Sequence, residues 1–534
     1  MFKKANKTIV IFTLLMLAAM VVPMIISPNA TAQLIGKVFT VMTLDFAWLF
    51  MLLGLFCAAI AVFVGFSKYG DIRLGGANAK PHYSRFSWIS MNLCSALAAG
   101  ILIFGMCEWM YYVQGPPFGL EPKSIAAYEY ASAYGMFHWG FSAWSFYLIP
   151  SLAIGYMYWN KNVGSLRISD SCSGLLGDDS SKHKFARNII DVFVTFCYVA
   201  GLMCTVGLGT PVMAELVSSL TGIPTSFGLK IAVIIVFCLF FMLSTSKTIA
   251  KGMAVISDFN VKLALAFFAF VFVVGPKSFI LNNFTMAIGK NLQEFFKMSL
   301  YTDSVAKTGF IQGWTIFYWA WYVALAVATG LWVARVSYGR TFREITFANC
   351  IVSPLACWVT FGLLGNYGMN LELTGKLDLS TMVIKQGTSP AVLAVLKTMP
   401  LSIIAVIVFL ILIFFNLATT ATATSTVISM ITSNDLKKDE EPNKWYKVFW
   451  ALSFLVLPVG ILFLEKAVEG LSVLKTLQSV TTVIAIPMLF VLVILTWSFM
   501  KVLKEDIKSG NIYVDPDKRY KWDEAIKKAN TEMQ

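Results

Sequence analysis

Apolar runs of about 20 residues recur roughly twelve times along the chain, near 8–27, 46–66, 87–112, 136–158, 188–213, 226–245, 258–281, 314–334, 346–368, 400–430, 445–464 and 475–500. Each is long enough to cross a hydrocarbon core of about 30 Å as a helix. Lipid offers no hydrogen bonds to the backbone, so each run must satisfy its own N–H and C=O groups, which a helix does. The runs therefore predict an all-α polytopic membrane protein with twelve transmembrane helices. Composition agrees, with 57% hydrophobic and 13% charged residues, against about 45–50% and 25% in soluble domains.

The net charge of +13 does not imply a nucleic-acid partner, because the basic residues alternate between loops as the positive-inside rule requires. Clusters such as Lys3/Lys4/Lys7, Arg73/Lys80/Arg85, Lys182/Lys184/Arg187 and Arg335/Arg340/Arg343 fall on one face, taken as cytoplasmic together with both termini. A basic start, an apolar stretch and Ala30-Thr31-Ala32 have the form of a cleaved leader, but the stretch is read as the first span. The cysteines lie mostly inside spans (Cys94, Cys107, Cys197, Cys204, Cys238, Cys357) without metal-ligand spacing, and read as small apolar packing residues. No HEXXH, CxxC, paired-His or nucleophile motif argues for a membrane enzyme.

The loops are short. Residues 1–86 hold two spans, and the remaining ten divide into two sets of five, 87–281 and 314–500, joined by an outer segment 282–313. In that segment Met286 to Leu300 suits an amphipathic helix on the membrane surface. The tail 501–534 mixes both charge signs and reads as a short solvated helix and extension. Transporters built from inverted repeats carry their site near the midplane on the Gly- or Pro-interrupted first helices of the repeats. Here these are spans three and eight, with Gly100 and Gly105 in one and Gly330 in the other.

Both helices are rich in rings. In Gly313–Val323, GWTIFYWAWYV, the residues Trp314, Phe317, Tyr318 and Trp321 share one helical face. Trp319 points the other way. An interfacial belt accounts for Trp314 and Trp319 as well as a site does, but Trp321 lies roughly 10 Å deeper, at 1.5 Å per residue. A second cluster, Trp139, Trp144 and Tyr147, falls in span four, and a third, Glu108, Trp109, Tyr111 and Tyr112, closes span three before Gly115-Pro116-Pro117. Packing explains any one cluster, whereas three at similar depth point to a cage. Ring faces attract a quaternary ammonium, which has no N–H to donate, at about 2 kcal/mol or more when desolvated.

GWTIFYWAWYV followed by ARVSYGRTFRE (Ala334–Glu344), with FHWG (Phe137–Gly140) and EWMYYVQGPP, resembles the betaine/carnitine/choline transporter family over essentially the whole chain. The loop phrases PPFGLEP and YTDSVAKTGFIQGW are most similar to its carnitine/γ-butyrobetaine antiporter branch. The resemblance implies a leucine-transporter-type fold with two inverted five-helix repeats (spans 3–7 and 8–12) and a homotrimer in the lipid bilayer of the bacterial cytoplasmic membrane. It also implies alternating-access movement of a quaternary ammonium compound such as carnitine, γ-butyrobetaine or glycine betaine. The family's aromatic box matches Tyr111, Trp139, Trp144 and Trp321, with Tyr147 on the same wall. Its outer aromatic site matches Trp314, with Tyr322 where a Trp is usual.

Coupling departs from the antiporter branch, since its Arg and Met positions fall on Ala254 and Thr329. The stretch ATTATATSTV (Ala418–Val427) is similar instead to a sodium-coupled symporter, whose sodium-ligating hydroxyls map to Thr419 and Thr420. Close helix packing also accounts for these threonines. The reduced glycine content from Ala96 to Gly100 resembles the antiporter branch, so Na⁺ symport and substrate exchange both stay open. Glu108 reads as a carboxylate orienting span three at the outer mouth, His138 as a buried neutral imidazole donating to a carbonyl, and Arg335, Arg340 and Arg343 as positive-inside anchors.

Overall fold

The computed structural model describes residues 4–95, 99–163, 167–179, 181–244, 247–434 and 440–523, without the side chains of 90, 93–95, 241, 243–244 and 247–255. Among them there is no strand, only two isolated bridges, and the all-α polytopic reading holds. The helices that matter for the site are α1 (Lys7–Ile26), α2 (Pro28–Thr40), α3 (Ala47–Phe66), α4 (Arg85–Ser95), α5 (Ala99–Gln114), α6 (Ile125–His138) and α7 (Phe141–Trp159). They continue with α8 (Lys184–Thr221), α9 (Phe227–Ser244), α10 (Lys247–Val274), α11 (Lys277–Leu300) and α12 (Phe317–Val336). The last are α13 (Phe342–Leu373), α14 (Ser402–Ile431), α15 (Lys444–Ala467) and α16 (Val473–Lys508). Helix occupies every one of the apolar runs, and among the described residues nine helices are long and apolar enough to cross a membrane.

Three boundaries differ from the sequence reading. Span four is not one helix: α6 stops at His138, Trp139 caps it, and Gly140 adopts extended backbone (φ −99°, ψ −152°) before α7 begins. A side chain at Gly140 would put its Cβ 2.5 Å from the Met136 carbonyl, so only glycine permits this break. Span seven ends at Val274, where Gly275-Pro276 interrupts the helix. The surface helix α11 consequently starts at Lys277 rather than Met286. Its Asn283 Nδ2 donates to Ser132 Oγ (2.8 Å) and Asn366 Oδ1 (2.7 Å), so one side is tied to α6 and α13 while Leu292 and Phe296 face outward.

Helices meet in lipid by close packing of small residues more than by the hydrophobic effect. Gly330 of α12 shows this, because a Cβ there would lie 2.5 Å from Pro150 Cβ of α7. The two helices that carry most of the rings are thereby held in backbone contact. Gly54 of α3 likewise makes room for the Trp319 indole, 2.8 Å from where its Cβ would stand.

The described part of the tail, up to residue 523, is tied to the bundle by a few residues while many of its side chains stay exposed. Tyr513 O accepts from Arg73 N (2.7 Å), Trp522 is fully buried against Tyr69, and Lys518 (3.0 Å) and Lys521 (3.5 Å) reach the buried carboxylate of Asp71. Arg343 joins them at 2.5 Å, so this arginine holds an ion pair besides any anchoring role. Burial raises the Asp71 pKa, but hydrogen bonds and charge from Lys518 and Arg343 outweigh it and hold the carboxyl below its ordinary 3.8. A depressed carboxylate stabilises the fold above its ordinary value and loses that contribution as pH falls through the lowered one. Tail docking is therefore expected at neutral pH and to be lost below 3.8. Asp71→Asn is expected to bring the loss to neutral pH, read as faster proteolysis within 509–523; unchanged cleavage would mean that Trp522 alone holds the tail.

Candidate functional site

A cavity of about 370 Å³ lies inside the bundle. One wall is aromatic: Trp139 from the α6–α7 break, Trp144 and Tyr147 from α7, and Trp321 and Tyr322 from α12. Their ring centroids lie 5.5 Å (Trp144–Tyr147), 5.8 Å (Tyr147–Tyr322), 6.2 Å (Trp139–Trp321) and 6.0 Å (Trp139–Tyr322) apart. Gly100 of α5 gives Trp321 its seat, the indole edge lying 3.5 Å from the position of a Cβ. The lining also has a polar set, with Ser257 and Asn260 from α10, Asn416, Thr419, Thr420 and Thr424 from α14, and Tyr198 from α8. No charged side chain lines the cavity among the described residues.

The sequence-read residues divide into two places. Trp139, Trp144, Tyr147, Trp321, Tyr322, Thr329, Thr419 and Thr420 all line the cavity. Tyr111 and Trp314 do not. They face each other at 5.4 Å, with the Tyr111 hydroxyl 2.8 Å from Thr388 Oγ1. Phe104, 6.3 Å from both Trp314 and Trp321, stands between this pair and the cage. Trp314 sits in a wide helical turn (Ile311–Ile316) just before α12, yet its ring stacks on Tyr318 (6.3 Å), which in turn stacks on Trp321 (6.3 Å), so the shared face is kept. Trp319 faces away from the cavity, towards Gly54, Phe137 and Phe146. Ala254 lies outside the residues whose side chains are described, as do Ala96, Leu97 and Ala98.

Glu108 is fully buried. It accepts from the hydroxyls of Tyr112 and Tyr318 (2.5 Å for the latter) and from Trp139 Nε1 at 3.1 Å. A buried carboxylate is tolerated only when such donors converge on it. Their convergence also fixes the plane of Trp139. His138 pairs with two hydroxyls, Tyr112 at Nδ1 (2.7 Å) and Thr315 at Nε2 (2.9 Å), rather than with a carbonyl. Glu108 thus acts on the cavity through a ring, without lining it.

Several lining residues escaped the sequence reading although their periodicity was visible. Trp332 follows Trp321 and Thr329 along one face of α12, extending the cavity roughly 16 Å at 1.5 Å per residue. Asn416, Thr420 and Thr424 recur every four residues on α14, as Tyr198 and Leu202 do on α8. Asn260 gave no such signal, because its helix reads as an ordinary apolar span.

A bundle of membrane-length helices around an internal cavity, ring-walled on one side and free of charged side chains among the described residues, defines a membrane transporter for a small organic molecule. The family model described as BCCT, betaine/carnitine/choline family transporter, matches residues 8–508. The chain belongs to that family, whose members are transporters of small quaternary ammonium compounds rather than enzymes.

Proposed function

We propose that this protein moves a trimethylammonium zwitterion, with carnitine, γ-butyrobetaine or glycine betaine as cargo, by alternating access across the bacterial cytoplasmic membrane. In this reading both termini are cytoplasmic and the unit is a homotrimer of two-repeat, leucine-transporter-type protomers. One observation carries the choice of cargo: the cavity is lined by seven aromatic side chains, Tyr198 and Trp332 included, and by no carboxylate among the described residues. Ring quadrupoles attract a cation without the desolvation penalty of an empty, buried acid. A net-neutral zwitterion then enters a net-neutral site.

Coupling to Na⁺ is part of the proposal. Thr419 and Thr420 border the same cavity, and the Thr419 hydroxyl donates to Phe415 O at 2.9 Å, which leaves its lone pairs for a hard cation that takes oxygen ligands. The competing reading is substrate exchange, as in the antiporter branch. Uptake into proteoliposomes with and without Na⁺, and with and without internal substrate, separates the two. Uptake that needs an inward Na⁺ gradient and no internal substrate is expected; uptake driven only by internal substrate would overturn the sodium assignment while keeping the cage.

A further inference from the structure

Thr315, His138, Tyr112, Glu108 and Tyr318 are all fully buried and form one hydrogen-bonded chain behind the ring-lined wall. Thr315 Oγ1 lies 2.9 Å from His138 Nε2, His138 Nδ1 lies 2.7 Å from the Tyr112 hydroxyl, and that hydroxyl reaches Glu108 Oε1. Glu108 Oε2 accepts separately from Tyr318 (2.5 Å) and Trp139 Nε1 (3.1 Å). The Tyr112 hydroxyl has one proton and two partners, so it donates to only one of them at a time. The chain can therefore run in either direction. With Glu108 ionised, Tyr112 donates to Oε1 and accepts from His138 Nδ1–H, while His138 Nε2 accepts from the Thr315 hydroxyl. With a proton on Oε1, Glu108 donates to Tyr112, Tyr112 donates to His138 Nδ1, and His138 Nε2–H donates to Thr315. Each of these bonds is kept in both states, and Oε2 keeps both of its donors. Buried polar networks are tolerated when every member is satisfied, and this one is satisfied with the proton or without it.

We propose that Glu108 is a proton-binding site in competition with the cation of the cargo, and that uptake of the proton switches His138 from its Nδ1–H to its Nε2–H tautomer. The inference rests on the function proposed above, which supplies the cation. Glu108 does not open onto the cavity and need not. Trp139, whose indole it holds, lines the cavity, and a charge acts across one ring in a medium of low dielectric. An ionised Glu108 attracts a trimethylammonium head beyond that ring and a protonated one does not; by linkage, the bound cation drives the proton off to the same degree. The titratable groups that face the carboxyl are Cys107 and Tyr112 of α5, His138 of α6 with Nδ1 at 3.5 Å, and Tyr318 and Tyr322 of α12. Tyr134 stands against the imidazole at 5.3 Å, and Cys357 of α13 lies beyond Tyr322. Among the described residues no Lys or Arg pairs with Glu108 to hold it ionised. Cysteine and tyrosine are neutral near pH 7, which leaves Glu108 or an imidazolium at His138 to carry the proton, and the experiment separates the two.

Binding of carnitine to the purified full-length protein is read by Trp fluorescence above about pH 5, where the cargo's own carboxylate stays ionised. Affinity is expected to rise with pH by up to about tenfold per unit, with up to about one proton per site released into weakly buffered solution on binding. Glu108→Gln should bind more weakly, with no pH slope and no proton release, whereas His138→Gln should keep both. The chain has three histidines, so NMR of isotope-labelled histidine follows His138, assigned by the signal missing in His138→Gln. The Nδ1–H tautomer is expected at high pH and the Nε2–H tautomer at low pH. A slope that survives Glu108→Gln and vanishes in His138→Gln places the proton on the imidazole and overturns the inference, as does one tautomer at every pH. Should Glu108→Gln fail to fold, proton release and the histidine signal of the wild type decide. A wild-type affinity that is flat or falls with rising pH removes this inference and leaves the proposed function; no binding of carnitine, γ-butyrobetaine or glycine betaine at any pH removes both.

Discussion

Trp321→Ala is expected to weaken binding of a trimethylammonium compound about 30-fold or more, because a desolvated cation–π contact is worth about 2 kcal/mol and each 1.4 kcal/mol is a factor of ten. Trp321 borders the cavity, packs at 6.2 Å from Trp139, and its Nε1 has no partner among the described residues. The control is two residues away. Trp319 is just as buried but fills the notch left by Gly54 and touches Phe137 and Phe146, not the cavity. Trp319→Ala should therefore cost about 3–5 kcal/mol of stability, as large-to-small core changes do, and show as a lower melting temperature with affinity within about threefold. Trp321→Phe, which keeps a ring face, should recover part of the lost affinity. If the two alanine variants lose affinity equally, the cage is misassigned.

Glu108→Ala should have the second large effect, and on stability first. The substitution strands the Tyr112 and Tyr318 hydroxyls and the Trp139 indole N–H inside the bundle, each at about 1–3 kcal/mol. The costs are not additive, since Tyr112 retains His138, and a net loss of about 3 kcal/mol is enough to lower the melting temperature in detergent by many degrees. Glu108→Gln preserves volume and one acceptor oxygen but turns an NH₂ towards a donor, so it should fall between alanine and wild type. Ligand affinity should follow the same order, because Trp139 loses the bond that fixes its plane. A Glu108→Ala protein that melts and binds like wild type would show that the converging donors are incidental.

The architecture was legible because lipid imposes one rule on every span, and a run of apolar residues states it openly. The ring-lined cavity was legible for a different reason: Trp is costly to bury and rare enough that clusters of it stand out. What the sequence concealed was conformation that a few residues impose. Gly140 breaks span four and turns Trp139, yet it reads as one more glycine in an apolar run. The wide turn before Phe317 gave no sign in the sequence either, although Trp314 keeps its stacking on Tyr318 across it. Asn260 was hidden by ordinariness, and Asp71 because its partners lie hundreds of residues away in a tail whose mixed charge gave no hint of docking. Long-range pairing of this kind has no local signature.

The break at Trp139-Gly140 also bears on release. Five of the cavity rings are spread over two helices and the residue at their break: Trp144 and Tyr147 ride on α7, Trp321 and Tyr322 on α12, and Trp139 stays bonded to Glu108 of α5. No single rigid body owns the binding site. A change in the angle of α7 about Gly140 would move Trp144 and Tyr147 relative to Trp139 without any ring leaving the helix it packs in. Under the alternating access proposed above, the motion that opens a path to either side of the membrane would also be the one that loosens the grip on the cargo.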